Sequence, residues 1–184
     1  MILGKQYINM SAIKEELQSV ARYFGLSHIN IVLDGGNKVP TIQNSGKTSV
    51  RGHGTIVKYL ARTSHLDYLI GSDVAERAAI EQWLEYRTCF LDRCATDKDV
   101  TTILKELNMY LADKVYFVGH HMTLADIVLF HGLHCIVGDM THQEKEIFMN
   151  VSRWFSNMQQ NENLRQDLRC LNFQKTPIYL NCHH

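Results

Sequence analysis

The stretch GHHMTLADIVLF, residues 119–130, sets four polar side chains against a run of apolar ones, and no other segment limits the fold as much. His120, His121, Thr123 and Asp126 are residue types found in catalytic and metal-binding clusters. Their spacing fits a helix start better. With Thr123 at the N-cap, its hydroxyl can accept from the amide of Asp126, and the Asp126 carboxylate can reach back to the Thr123 amide. That is a capping box with Asp in place of Glu. Met122 then falls at N′ and Ile127 at N4, the two positions of a hydrophobic staple. Asp126 also suits the positive end of the helix dipole. The segment reads as the capped start of a buried helix.

The chain changes character near residue 65. Ahead of it, SAIKEELQSVARYF places Ile13, Leu17, Val20 and Phe24 on one helical stripe, with Ser11 as N-cap and Gly25 just past the end. INIVL (29–33) and VPTIQ (39–43) read as strands either side of the turn signal DGGNK, and GTIVKYLART (54–63) as a short helix. NSGKT and the glycine-rich SGKTSVRGHG read as loop. This predicts a small α/β unit over residues 1–66.

Beyond it the periods are helical. GSDVAERAAIEQWLEYRTCFLDRC opens with Asp73 and Glu76 at capping-box spacing and continues with Val74, Ala78, Trp83 (or Leu84) and Arg87 in phase. DVTTILKELNMYLADK carries Val100, Ile103, Leu104, Leu107 and Leu111. The 119–130 segment begins a third helix, THQEKEIFMNVSRWFSNMQQ supplies a fourth that breaks near Asn150, and ENLRQDLRCL a fifth. An all-helical bundle is predicted for 67–176, followed by a tail at 177–184 in which PIYL alone has a strand signal.

Nineteen basic and nineteen acidic residues balance, so the basic excess of a nucleic-acid binder is missing and no direct nucleic-acid contact is expected. Five scattered cysteines without a CxxC pair fit reduced thiols better than a disulfide framework. The opening twenty residues turn amphipathic and acidic, unlike a signal peptide, and IVLFHGLHCIV is too short to span a bilayer. A cytosolic protein without membrane contact is expected. GxSxG, GxGxxG and GxxxxGK[ST] are absent, and SGKT lacks the upstream glycine of a phosphate loop. His131 and His134 stand at a metal-ligand spacing, but Cys135 lies off their face and nothing completes a set, so neither metal nor cofactor is expected.

A Val-Pro before a strand, then a bundle with YLADKVYFVGHHMTLADI, resembles the glutathione-transferase fold family. The resemblance implies a short thioredoxin-like unit, with Val39-Pro40 as its cis-proline element. It also implies a helical bundle whose buried central helix carries the box of Met122, Thr123, Asp126 and Ile127. Two departures imply that catalysis is lost. The first strand and the activating Tyr, Ser or Cys that follows it are missing, Tyr7 being the only early phenol. Gly52 and His53 stand where the family has the Glu-Ser that anchors glutathione.

Four long blocks between residues 68 and 160 (YLIGSDVAERAAIEQWLEYRT, LKELNMYLADKVYFVGHHMTLADI, GLHCIVGDMTHQEKE and NVSRWFSNMQ) are similar to a non-enzymatic subgroup, the elongation factor 1 epsilon adaptors. This resemblance implies a scaffold joining the matching domains of methionyl-tRNA synthetase and glutamyl-prolyl-tRNA synthetase with other components of the multisynthetase complex. One implied surface is formed by 53–62 and 73–90, with Lys58, Arg62, Arg77 and Glu81 exposed by helical phase; the other is centred on Arg153. Trp154 and Phe155 are expected in the core. The subgroup is also associated with nuclear signalling after DNA damage, although no basic localisation run is present. A divergent glutathione transferase and a subunit of the elongation factor 1 complex are the alternative readings.

Overall fold

A computed structural model describes residues 10–26, 29–33, 39–43 and 49–173. The α/β unit contains α1 (Met10–Tyr23), β1 (Ile31–Leu33), β2 (Pro40–Ile42), β3 (Val50–Arg51) and α2 (His53–Thr63). After a 3-10 turn at Asp67–Ile70 come α3 (Val74–Tyr86), a π-helical turn at Arg87–Leu91 and α4 (Asp97–Tyr110). The chain continues through α5 (Leu124–Asp139), α6 (His142–Ile147), α7 (Met149–Gln159) and α8 (Glu162–Arg165). Among the described residues, no helix is long and apolar enough to cross a membrane.

In α1, Leu17, Val20 and Phe24 are buried and Ile13 packs against them, as the stripe predicts. Gly25 adopts φ +77°, and the amides of Leu26 and Gly25 donate to Ala21 and Arg22 at 2.8 and 2.9 Å, the paired bonds of a Schellman end. Met10 and Ser11 are both already helical, so Ser11 is not the N-cap.

The sheet is antiparallel in the order β1-β2-β3, with Ile31 opposite Ile42 and Ile42 opposite Val50. β3 corrects the expected loop. It is only two residues long, and its place is secured by the Gly52 amide donating to the Pro40 carbonyl at 3.0 Å. Pro40 sits at the first position of its strand, where a missing N–H costs least. The described peptide bonds are all trans, so the expected cis bond at Val39-Pro40 is not found.

The bundle is organised around α5. Eleven of its residues are buried, and Thr123 and Asp126 form its capping box as predicted. Trp154 and Phe155 of α7 are core, at 1% and 0% exposure. The break before α7 falls at Phe148 instead of Asn150. There the Asn108 side chain of α4 accepts from the amides of Asn150 and Val151, capping the new helix from outside. Val74, placed on the α3 stripe, is 81% exposed because it sits at the very start of the helix. The last predicted helix shrinks to Glu162–Arg165. Gln166 turns to φ +47°, and its side chain is taken up by α1, accepting from Arg22 Nε and donating to the Ser19 carbonyl.

Candidate docking surfaces and the buried cluster beneath them

The first surface joins α2 to α3. A Cβ built on Gly54 would meet Leu84 at 3.6 Å, so the helices pack backbone to side chain. Lys58 and Glu81, both expected here from helical phase, bond to each other at 2.6 Å. Arg62 is exposed in the last turn of α2. Arg77 is exposed overall, but its guanidinium turns back to the carbonyls of Gly71 and Ser72 at 3.0 and 3.3 Å. Asp73 accepts from the Glu76 amide, whereas Glu76 answers to Ser72, taking its amide and hydroxyl at 2.7 and 2.8 Å.

The second surface lies over α6 and α7. Arg153 Nη2 donates to the carbonyls of Leu111 and Lys114 at 2.7 and 2.8 Å, closing the end of α4. The residue is still exposed, and it borders a groove of about 530 Å³ lined also by Lys145, Met149, Ser152, Ser156 and Phe173. Met149 is 66% exposed at its edge.

Beneath the first surface lies a charged cluster outside the predicted sites. Glu16 of α1 has an 8% exposed side chain. Its Oε1 meets His53 Nε2 at 3.0 Å, and its Oε2 accepts from Arg87 Nη2 at 2.8 Å. Arg87, 1% exposed, also donates Nε to Asp92 Oδ1 at 2.7 Å. The π-helical turn, closed by the Asp92 amide donating to the Arg87 carbonyl at 2.9 Å, carries this guanidinium inward. Gly132 in the middle of α5 makes room for it: a Cβ there would lie 1.5 Å from Nη1. Burial acts to raise the Glu16 carboxyl, but Arg87 and His53 outweigh it and bring the value to about 2. Nearby His131 is lowered to about 4, chiefly by burial. Its Nε2 is buried without a hydrogen-bond partner, as is His53 Nδ1.

Single residues could have marked this cluster, though not its pairing: Glu16 interrupts the apolar stripe of α1, Arg87 follows the helical phase of α3, and Gly132 sits inside a helix. Gly52 is the N-cap of α2 at φ +91°, and His53 follows it as the first residue of the helix. His53 is buried and bound to the Glu16 carboxylate.

His134 Nε2 bonds to the Arg169 carbonyl at 2.9 Å, His120 and His121 are exposed, and His121 lies 3.6 Å from Glu76. Among the described residues, no three His, Cys, Asp or Glu side chains are grouped to hold a metal. The Asp126 carboxylate is consumed by structure: Oδ1 accepts from Phe117 N and Trp154 Nε1, and Oδ2 from the amide and hydroxyl of Thr123.

Residues 76–162 match the family model of the nuclear-export cofactor Arc1p. The chain is 41% identical over 169 residues to eukaryotic translation elongation factor 1 epsilon-1 of Homo sapiens, covering 91% of this chain and 97% of that one. It is 34% identical over 105 residues to the bifunctional glutamate/proline–tRNA ligase of Cricetulus griseus, covering 55% of this chain and 7% of that one. In fold it is similar to the theta class glutathione S-transferase of Xanthomonas axonopodis pv. citri with glutathione bound. The TM-score is 0.68 at 18% identity, over 88% of this chain and 92% of that one. The architecture is glutathione-transferase-like, a small thioredoxin-type unit with a helical bundle.

Proposed function

The chain belongs to the family of eukaryotic translation elongation factor 1 epsilon-1, and from that premise we propose that it is a non-catalytic scaffold of the multi-aminoacyl-tRNA-synthetase complex. It docks on the glutathione-transferase-like domains of methionyl- and glutamyl-prolyl-tRNA synthetases. The observation that carries this reading is the similarity to a short segment of a glutamate/proline–tRNA ligase. Chains that share such a unit can pair through equivalent faces of it. Lys58, Arg62, Arg77 and Glu81 form one face and Arg153 the other. Loss of catalysis is supported by His53, which fills the anchor position with a side chain already bound to Glu16. The protein works in the cytoplasm, with the nucleus as a second location.

Co-elution of the purified chain with each synthetase domain, alongside the elongation factor 1-gamma domain as a competitor, tests the scaffold. A stable complex with at least one synthetase domain is expected, disrupted by Glu81→Lys or by Arg153→Ala. Exclusive binding to the gamma domain would move the protein to the elongation factor complex. Retention on immobilised glutathione with turnover of an aryl halide would return it to the transferases.

A further inference from the structure

The α2–α3 face is assembled from two helices belonging to different parts of the fold. Its shape exists only while those parts keep one relative position. Outside, Lys58 and Glu81 bridge the helices at 2.6 Å, but their side chains are 22% and 50% exposed, and a pair so open to water holds little. Beneath, one carboxylate touches both helices at their ends. Glu16 binds His53, the first residue of α2, at 3.0 Å, and Arg87, the residue directly after α3, at 2.8 Å. Asp92 fixes the far side of the same guanidinium, the Val128 carbonyl receives Nη1 at 3.5 Å, and Gly132 leaves the space.

A buried ion pair is a poor source of net stability, since apolar side chains of similar volume often serve as well or better. Its directional bonds, however, are satisfied in one arrangement only. Breaking it strands a charge in the interior. Here that arrangement is the one that sets α2 against α3.

We propose that Glu16 and Arg87 are positioning residues for partner binding: from inside the protein they fix the register of α2 on α3, and so the affinity of a face they never touch. This rests on the α2–α3 docking reading. His131 of α5 also lies near the pair, held neutral by burial, and its Nε2 is buried without a hydrogen-bond partner.

The test uses the full chain with Glu16→Gln, with Glu16→Gln/Arg87→Met, and with Met158→Ala. The last is a destabilising control in the core of α7, where Met158 is 2% exposed. Affinity is measured for the synthetase domain whose binding Glu81→Lys disrupts, and hydrogen exchange is followed at the amides of residues 54–58. Both clamp variants should bind at least tenfold more weakly and exchange faster in α2. Met158→Ala should bind within twofold of wild type despite an equal or larger fall in Tm. Clamp variants that bind within twofold would overturn the proposal, as would a control that weakens as much per degree of Tm lost. If Glu16→Gln does not fold, the double variant, which leaves neither charge of the pair, carries the same readings. Should wild type bind neither synthetase domain, the scaffold reading fails; unchanged exchange in α2 would then separately refute the clamp.

Discussion

Trp154 Nε1 donates to Asp126 Oδ1 at 3.0 Å, so a side chain of α7 ends on the residue that caps α5. The same carboxylate takes the Phe117 amide on Oδ1 and both Thr123 donors on Oδ2. Helix start, preceding loop and neighbouring helix are therefore tied at one fully buried point. A motif visible as a local cap is the junction of three segments.

Asp126→Ala should cost far more than an ordinary cap. Loss of an exposed N-cap costs about 1 kcal/mol. Here the Phe117, Thr123 and Trp154 donors would be stranded in the interior, each at about 1–3 kcal/mol, so a loss of about 3 kcal/mol or more is expected. Urea unfolding with unchanged m-value is the measurement. Partner binding by the folded fraction should be unaffected; a binding defect at constant Tm would make the motif functional.

How much could be read in advance depended on whether the physics was local. The Thr123–Asp126 box needs only neighbours in sequence, and it stands as expected. Lys58 and Glu81 were separable by phase, although their mutual bond was not. The Glu16–Arg87 pair joins residues 71 positions apart and had no motif to announce it. α8 ends early because Gln166 is drawn away by Arg22 and Ser19, again long-range partners. β3 escaped because two residues make no period.

Gly132→Ala should destabilise strongly even though alanine is the better helix former by about 1 kcal/mol. The new methyl would occupy the Arg87 guanidinium, 1.5 Å from Nη1. Expelling that group leaves the Glu16 carboxylate buried without its guanidinium, at a cost of about 3–5 kcal/mol. Thermal unfolding should show the loss, and adding Arg87→Met should restore part of it. A Gly132→Ala chain as stable as wild type would mean the guanidinium can leave freely.

Acid should unfold the protein in two overlapping stages. His131 is held neutral, its value lowered from 6.5 to about 4 by burial, so the unfolded chain gains a proton first and stability falls between those values. Glu16 is lowered from 4.5 to about 2, with Arg87 and His53 outweighing the opposing effect of burial. Its contribution is complete above about pH 4.5 and is lost as the pH falls towards 2. Each stage amounts to about 3 kcal/mol. Urea midpoints at a series of pH values should decline from about pH 6.5 downward, and His131→Phe should flatten the upper stage alone. A midpoint independent of pH down to 4 would contradict the buried neutral imidazole.

Arg153 carries two tasks that one substitution can separate. Nη2 closes the end of α4 by donating to Leu111 and Lys114, and the exposed remainder borders the α6–α7 groove. Arg153→Ala should therefore lower stability by about 1–2 kcal/mol and also abolish binding to one synthetase domain. Arg153→Lys tells the tasks apart: an ammonium can serve the two carbonyls as a point donor but lacks the planar fork for a second, bidentate contact across an interface. Tm close to wild type with binding still impaired is the expected outcome for Arg153→Lys, read by calorimetry on the chain alone and then with partner. Full binding by both variants would leave Arg153 as a helix cap and remove it from the docking surface.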